Sequence, residues 1–338
     1  MATATSASSD NTATRFGYPL YPAFRPGEAR FPQDTFLGRY AHYLDVVDPR
    51  TLLTSENKLQ ASIDLLERYK RGDAVTASNR DLWEAQKIKQ AIIHPDTGKK
   101  VFMPFRMSGY VPFGWITVTG MLLPNPSWPT LMFWQWMNQS HNACVNYANR
   151  NATKPQPASK FVSAYAGAVS AALTISMSLT YLIKKADRLP AAQKLVIQRF
   201  VPLPATALAS SCNVILMRHG EINTGIEVYD CENNVVGTSQ VAAYRAVRDT
   251  TLTRAFLPVP LLLAPPCIMP FLEKTRFLKR NPRWHLLVNA IVCTISFGIS
   301  LPVALALFPQ ESTINTSDLE PELQSRTNQR QLYYNRGL

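Results

Sequence analysis

Between Phe133 and Asn151 the sequence reads FWQWMNQSHNACVNYANRN, aromatic at first and then crowded with carboxamides. At 100° per residue on a helix, Asn138, Asn142, Asn146 and Asn149 fall within about 80° of one another, with Gln135 in the same arc. Phe133, Trp136, Ala143, Cys144 and Tyr147 lie on the opposite side. Each amide both donates and accepts a hydrogen bond without carrying charge. Such a stripe can therefore hold a carboxylate, an amine or a hydroxyl without the full cost of a buried ion. Two readings stand side by side: a polar path for a small solute, or an inter-helix ladder that only holds a bundle together.

Other residues join the stripe. Val101–Pro124 is apolar except for Arg106, and an arginine in such a run faces a cavity or an interface, or else snorkels to the membrane boundary. Arg150 closes the stripe, and Asn213 sits inside an uncharged, proline-bearing run. His141 is the one histidine near the amides, either a structural hydrogen-bonder or a contact for substrate or proton. The candidate substrate-binding set is Arg106, Asn138, His141, Asn142, Asn146, Arg150 and Asn213.

Catalysis is the weakest reading. The chain has no G-x-G-x-x-G, P-loop, H-E-x-x-H or G-x-S-x-G pattern. His42, His94, His141, His219 and His285 have no metal-ligand spacing, and the five cysteines are scattered without a C-x-x-C. No enzyme, metal or cofactor is expected. The net charge of +12 is spread over short loops and no nucleic-acid motif accompanies it, which argues against nucleic-acid binding.

The elements that must carry these residues are membrane spans. A mean hydropathy of −0.09 hides a division. The first hundred residues hold fourteen basic and twelve acidic side chains, whereas Phe161–Ile183, Phe200–Met217, Ala255–Leu272 and Leu286–Phe308 hold none. Runs of 18 to 23 residues suffice to cross about 30 Å of hydrocarbon. The expected fold is an all-α membrane protein of about five transmembrane helices. Four are clear, and residues 101–150 supply one or two more. Prolines 202 and 204 in one run, and 258, 260, 265, 266 and 270 in another, predict broken helices of the kind found at transporter binding sites. Arg199 to Cys212 and Arg254 to Cys267 share a spacing that hints at an internal repeat.

Ahead of the spans, residues 1–35 are expected to be disordered or loosely draped and 36–100 to form a soluble amphipathic helical region. One helix begins near Thr54 or Ser55 and ends at Gly72. Another begins at the Ser78-x-x-Asp81 capping box and stops before His94-Pro95. His94–Gly98 has turn chemistry. The membrane domain covers 101–310, and 311–338 is a polar tail. The loops Lys184–Arg199 and Glu273–Arg283 are basic, while Arg218–Arg254 and the tail are slightly acidic. That alternation suits antiparallel spans with the basic loops on the matrix or cytosolic side. The N-terminus lacks the apolar core of a secretory signal.

Taken together, HPDTGKKVFMPFRMSGYVPFG (His94–Gly114), the asparagine stretch, LMRHGEINTGIEVYD, the LEKTRFLKR loop, ALFPQ and the terminal YYNRGL resemble the sideroflexin family. The resemblance runs from about Phe31 to Leu338. It implies a multi-pass α-helical protein of the mitochondrial inner membrane that transports small metabolites. Members of that family are linked to serine import for one-carbon metabolism. Others are described as tricarboxylate carriers, and one paralogue serves respiratory-complex assembly. The wording of MPFRMSGYVPFG and SHNACVNYANRNATKP is most similar to the tricarboxylate-carrier branch. The expected partners are the lipid bilayer and a small carboxylate or amino acid. Serine, a zwitterion with a hydroxyl, suits one cation and several amides, whereas citrate calls for more cations.

Overall fold

The computed structural model describes residues 13–336 apart from 74, 96, 122, 124–126, 150–157, 186–201, 233 and 310. The chain is mostly helical, and the N-terminal region is built first. Helix α1 (Phe36–Val46) is capped by the Thr35 hydroxyl, which accepts from the Gly38 amide. Helix α2 (Glu56–Arg71) starts from Ser55 and stops at Gly72, whose φ of 80° is the left-handed cap that glycine adopts without penalty. Helix α3 (Asn79–Ile92) opens on the expected capping box. The Ser78 hydroxyl accepts from the Asp81 amide, and Asp81 accepts from the Ser78 amide. Helix α1 was not anticipated from the sequence.

Residues 13–35 are packed rather than disordered. Phe24 and Phe31 are buried. The Phe24 ring lies edge-on to Trp83, and the Trp83 indole donates to the Pro22 carbonyl at 2.8 Å. Arg15, Arg30 and Lys87 all reach Asp45, at 3.1, 3.2 and 3.5 Å. A segment rich in Pro and Gly is thus held by three aromatics and an ion cluster contributed by partners distant in sequence.

Asp48 sits beside that cluster, 2.6 Å from Arg50 and 2.6 Å from Lys87. Burial alone would raise its carboxyl, but the hydrogen bonds from Arg50 and Lys87 outweigh burial and hold it well below the usual carboxylate range. A carboxyl depressed in the native state stabilises the fold above its unfolded value of about 3.9. That contribution is lost as pH falls from there toward the native value. Thermal melts of the purified protein should therefore lose several degrees on acidification below about pH 4. Asp48→Asn should start lower at neutral pH and show a flatter acid slope.

The central helices follow: α4 (Met107–Met121), α5 (Trp128–Ala148), α6 (Ala158–Lys185), α7 (Pro202–Thr224), α8 (Gln240–Phe256), α9 (Pro258–Glu273), the short α10 (Arg276–Arg280) and α11 (His285–Ala306). Among the described residues, two stretches are long and apolar enough to cross a membrane: Phe161–Leu182 in α6, and Pro282–Ala306, which takes in α11. Both show apolar faces without protein cover. On α11, Leu287, Ile291, Ile295 and Ile299 recur every four residues on an exposed stripe, while Ala290, Cys293, Phe297, Leu301 and Ala304 are buried. Exposed isoleucines in a continuous stripe suit lipid, not water.

Prolines 202, 204, 258 and 260 fall in the first turns of α7 and α9. There the amide has no intrahelical partner, so proline starts a helix rather than breaking it. Within these two helices, interior proline is confined to Pro265, Pro266 and Pro270 of α9. Arg199, the first half of the suspected repeat, lies outside the described residues.

The chain also forms strands that the all-α expectation omits. After the short pairing of β1 (Thr14–Arg15) with β2 (Tyr18–Pro19), β3 (Ile226–Tyr229), β4 (Val235–Ser239), β5 (Glu311–Asn315) and β6 (Gln331–Asn335) make an antiparallel sheet in the order β4-β3-β6-β5. Val228 pairs with Tyr334, and Ile314 pairs with Leu332. Both pairs are buried against Ala242, Ala243 and Ala246 of α8, together with Leu319 and Leu323. The segment read as a polar tail is therefore half of a small α/β unit that closes over the start of α8.

Candidate functional site

Helices α4 and α5 run antiparallel and very close. A Cβ built on Gly120 would lie 2.0 Å from the Trp134 ring, so this approach depends on glycine. It brings the amide stripe of α5 against α4 in successive rungs. Thr117 Oγ1 donates to Asn138 Oδ1 at 3.0 Å, and the Tyr110 hydroxyl donates to Asn142 Oδ1 at 2.7 Å.

The third rung leaves α4 and crosses to α7 and α8. Arg254 Nη2 donates to Asn146 Oδ1 at 2.7 Å, and Asn146 Nδ2 donates to Asn213 Oδ1 at 3.2 Å. The order of this relay fixes both amide orientations. A guanidinium can only donate, so Asn146 must accept there and donate onward. The Asn213 Nδ2 then stands at the end of the relay, buried and without a hydrogen-bond partner among the described residues. Asn213 is 2% exposed and Arg254 6%. The Arg254 guanidinium also lies over the Tyr110 ring, 5.8 Å from its centre. Among the described residues Arg254 has no carboxylate partner.

A buried cation with no counter-ion among the described residues, beside an amide donor they leave unused, is an incomplete arrangement. An oxyanion completes it. The chemistry on offer is donation to a carboxylate from Arg254 and Asn213, with Tyr110 and Asn142 one turn away along α4 and α5.

The remaining sequence candidates separate from this centre. His141 Nε2 donates to the Pro104 carbonyl at 3.0 Å, with its ring against Phe105 and Tyr110. It ties the approach to α4 onto α5. Asn149 donates to the Phe105 and Val145 carbonyls, as a helix cap does. Arg106 points elsewhere, its Nε donating to the Val101 carbonyl at 2.8 Å and its side chain half-buried. Arg150 lies outside the described residues. The structure thus unites Asn142, Asn146 and Asn213, keeps Asn138 as a neighbouring rung, and leaves His141 and Arg106 at the rim. In uptake assays Arg106→Lys should transport at the wild-type rate, because the bond to the Val101 carbonyl needs only one donor. A clear loss would return Arg106 to the site.

Two residues of the cluster escaped the sequence reading, Tyr110 and Arg254. Tyr110 is one aromatic among many in its run. Arg254 was counted as a loop charge, although it stands flush against the uncharged run Ala255–Leu272. A lone arginine abutting such a run, at the end of a helix that has already entered the bundle, was the available signal.

Comparison with known proteins identifies the family. The family model described as Sideroflexins matches residues 25–338. A Caenorhabditis elegans protein named Sideroflexin-5 is 67% identical over 326 residues, covering 96% of this chain and 98% of that protein. Human Sideroflexin-5 is 54% identical over 318 residues, 94% of each chain. A Dictyostelium discoideum sideroflexin is 37% identical over 94% of this chain and 98% of its own length. No solved structure matches. The chain belongs to the sideroflexin family.

Proposed function

We propose that this protein is a multi-pass transporter of the mitochondrial inner membrane, carrying a small metabolite that bears a carboxylate, with serine as the first candidate. The observation that carries the reading is the Arg254–Asn146–Asn213 relay with its unused amide donor. One unpaired cation among neutral amides matches a zwitterion. The carboxylate meets Arg254 and Asn213, while the amide oxygens of α5 and the hydroxyls of Tyr110 and Thr117 on α4 can accept from the ammonium and hydroxyl groups. Five or six spans form the bundle: α7 and α9 join the two apolar helices, and α4 and α5 supply one or two more. The basic loops face the matrix. Family membership and the lipid-suited stripe of α11 support the membrane setting.

A tricarboxylate substrate is the second reading, favoured by the wording of the MPFRMSGYVPFG segment. Against it, Arg106 is turned away from the amides, which leaves Arg254, among the described residues of the site, to face three negative charges. A role in respiratory-complex assembly is the rival of a different class.

Uptake of labelled serine and labelled citrate by proteoliposomes separates these. Saturable serine uptake with little citrate uptake is the expected result. The reverse preference would transfer the assignment to tricarboxylates. Folded protein that moves neither solute would sink the transport reading.

A further inference from the structure

The connection between α9 and α11 reads EKTRFLKRNPRWH from Glu273 to His285. It carries five cations, Lys274, Arg276, Lys279, Arg280 and Arg283, against one acid. That acid is already used. His285 Nε2 lies 2.8 Å from Glu273 Oε1 and so ties the two ends of the connection together. All five cations are exposed, and among the described residues none has a carboxylate partner.

The charges stand on an ordered backbone. Leu278, the one buried residue of α10, packs with Met269 of α9 and Val292 of α11, and Leu272 and Val288 lie against them. With Leu278 turned inward, Arg276 and Arg280 fall on the outer face of α10 at 100° per residue. Asn281 Nδ2 donates to the Phe277 carbonyl at 3.2 Å and closes the end of the helix. The turn that presents the cations is therefore formed before any ligand arrives, which removes a cost of binding.

Large apolar side chains flank the charges without protein cover. Phe271 is 72% exposed, Phe277 53% and Trp284 48%. The Phe277 and Trp284 rings lie 6.1 Å apart, and the Lys274 ammonium stands 5.9 Å from the centre of the Phe271 ring. Phe271 follows the exposed Ile268 on α9. Trp284 leads into the exposed stripe Leu287, Ile291, Ile295 and Ile299 on α11. Along that direction the surface passes from lysine and arginine, through aromatic rings, to isoleucine. This is the order of a bilayer leaflet from headgroup to hydrocarbon. A free phosphate would match only the cations, and an acidic protein would leave the isoleucine stripe uncovered.

We infer that the connection between α9 and α11 is a seat for an anionic phospholipid. Lys274 and Arg276, beside the rings, meet the lipid phosphate, and Lys279, Arg280 and Arg283 complete the basic surround. The acyl chains lie along the exposed stripes of α9 and α11. The seat rests on those two helices lying in a bilayer, as proposed above, and adds a demand for one kind of lipid.

The test is quenching of tryptophan fluorescence in the reconstituted full chain by phospholipids brominated on their acyl chains. The Trp284 signal is the difference between wild type and Trp284→Phe. In phosphatidylcholine vesicles, brominated phosphatidylglycerol should quench this signal at a mole fraction about tenfold lower than brominated phosphatidylcholine requires. Lys274→Gln/Arg276→Gln should lose that preference, at about fivefold per charge removed, while quenching by brominated phosphatidylcholine stays unchanged. Lys274→Arg/Arg276→Lys should retain it. Where the glutamine pair fails to insert, Arg280→Gln/Arg283→Gln gives the same readout. Lys70→Gln/Arg71→Gln removes equal charge from the end of α2 and should leave the preference intact. Equal quenching of wild type by the two lipids overturns the seat and leaves the membrane setting standing. Equal loss in the α2 variant overturns a local seat in favour of overall charge. A preference that millimolar inorganic phosphate abolishes at constant ionic strength overturns the lipid as occupant. A Trp284 signal that neither lipid quenches overturns both the seat and the placement of α11 in the bilayer.

Discussion

Arg254→Gln should reduce serine uptake by about 10- to 100-fold in proteoliposomes, the range set by the loss of charged hydrogen bonds to a buried anion. Glutamine keeps an amide donor within reach of Asn146, so the relay to Asn213 can persist while the charge is gone. Arg254→Lys restores the charge on a compact ammonium. It loses the planar set of donors that lets the guanidinium serve Asn146 and a ligand together. Uptake by the lysine variant should fall between glutamine and wild type. Asn213→Leu removes the terminal donor while leaving Arg254 in place, and should act mainly through KM. The order wild type, lysine, glutamine is the signature of a ligand-facing cation. If Arg254 only holds helices together, the three proteins would differ in melting temperature while the folded fraction of each transports serine equally well.

The local devices of the fold were legible from sequence because each is written within a few residues. Ser78 and Asp81 form their capping box, Gly72 stops α2, and the turn at His94 closes with the Gly98 amide donating to the His94 carbonyl. The amide stripe was legible for the same reason, since a helix converts spacing into a face. What the sequence hid is non-local. Strand β3 pairs with β6, Tyr229 opposite Tyr333, across more than a hundred residues that leave no local trace. Its charged flank (Glu227, Asp230, Glu232) made it read as an acidic loop. Burial of Phe24 and Phe31 likewise depends on α1 to α3, which lie downstream. Prolines 202 and 258 were legible as residues but not as positions, because the same residue starts a helix at its first turn and breaks one in its middle. Arg254 combined both difficulties. Its partner Asn146 lies 108 residues away, and Asn213, reached through Asn146, lies 41 away; nothing beside Arg254 in sequence states that its helix enters the amide stripe.

Leu332→Ala should cost about 2–5 kcal/mol, the usual range for truncating a leucine in a packed core, and should shift the thermal midpoint accordingly. Leu332 is fully buried and lies opposite Ile314 on β5. The neighbouring Tyr333 points the other way and is 38% exposed, so Tyr333→Ala is the control and should cost far less. The consequence extends to the candidate site through α8. Glu320, held in place by this same unit, accepts the amides of Gln240 at 2.6 Å and Val241 at 3.1 Å at the start of that helix. Burial would raise its carboxyl, but the backbone amides and Ser239 outweigh burial and keep it below the ordinary glutamate range. It therefore meets the unsatisfied amides of α8 as a carboxylate. Loosening the unit by Leu332→Ala releases the start of the helix whose other end carries Arg254. Serine uptake at a temperature where the variant remains folded should therefore fall, whereas Tyr333→Ala should not lower it. Equal melting temperatures for the two variants would show that β6 is a surface strand and not part of a core.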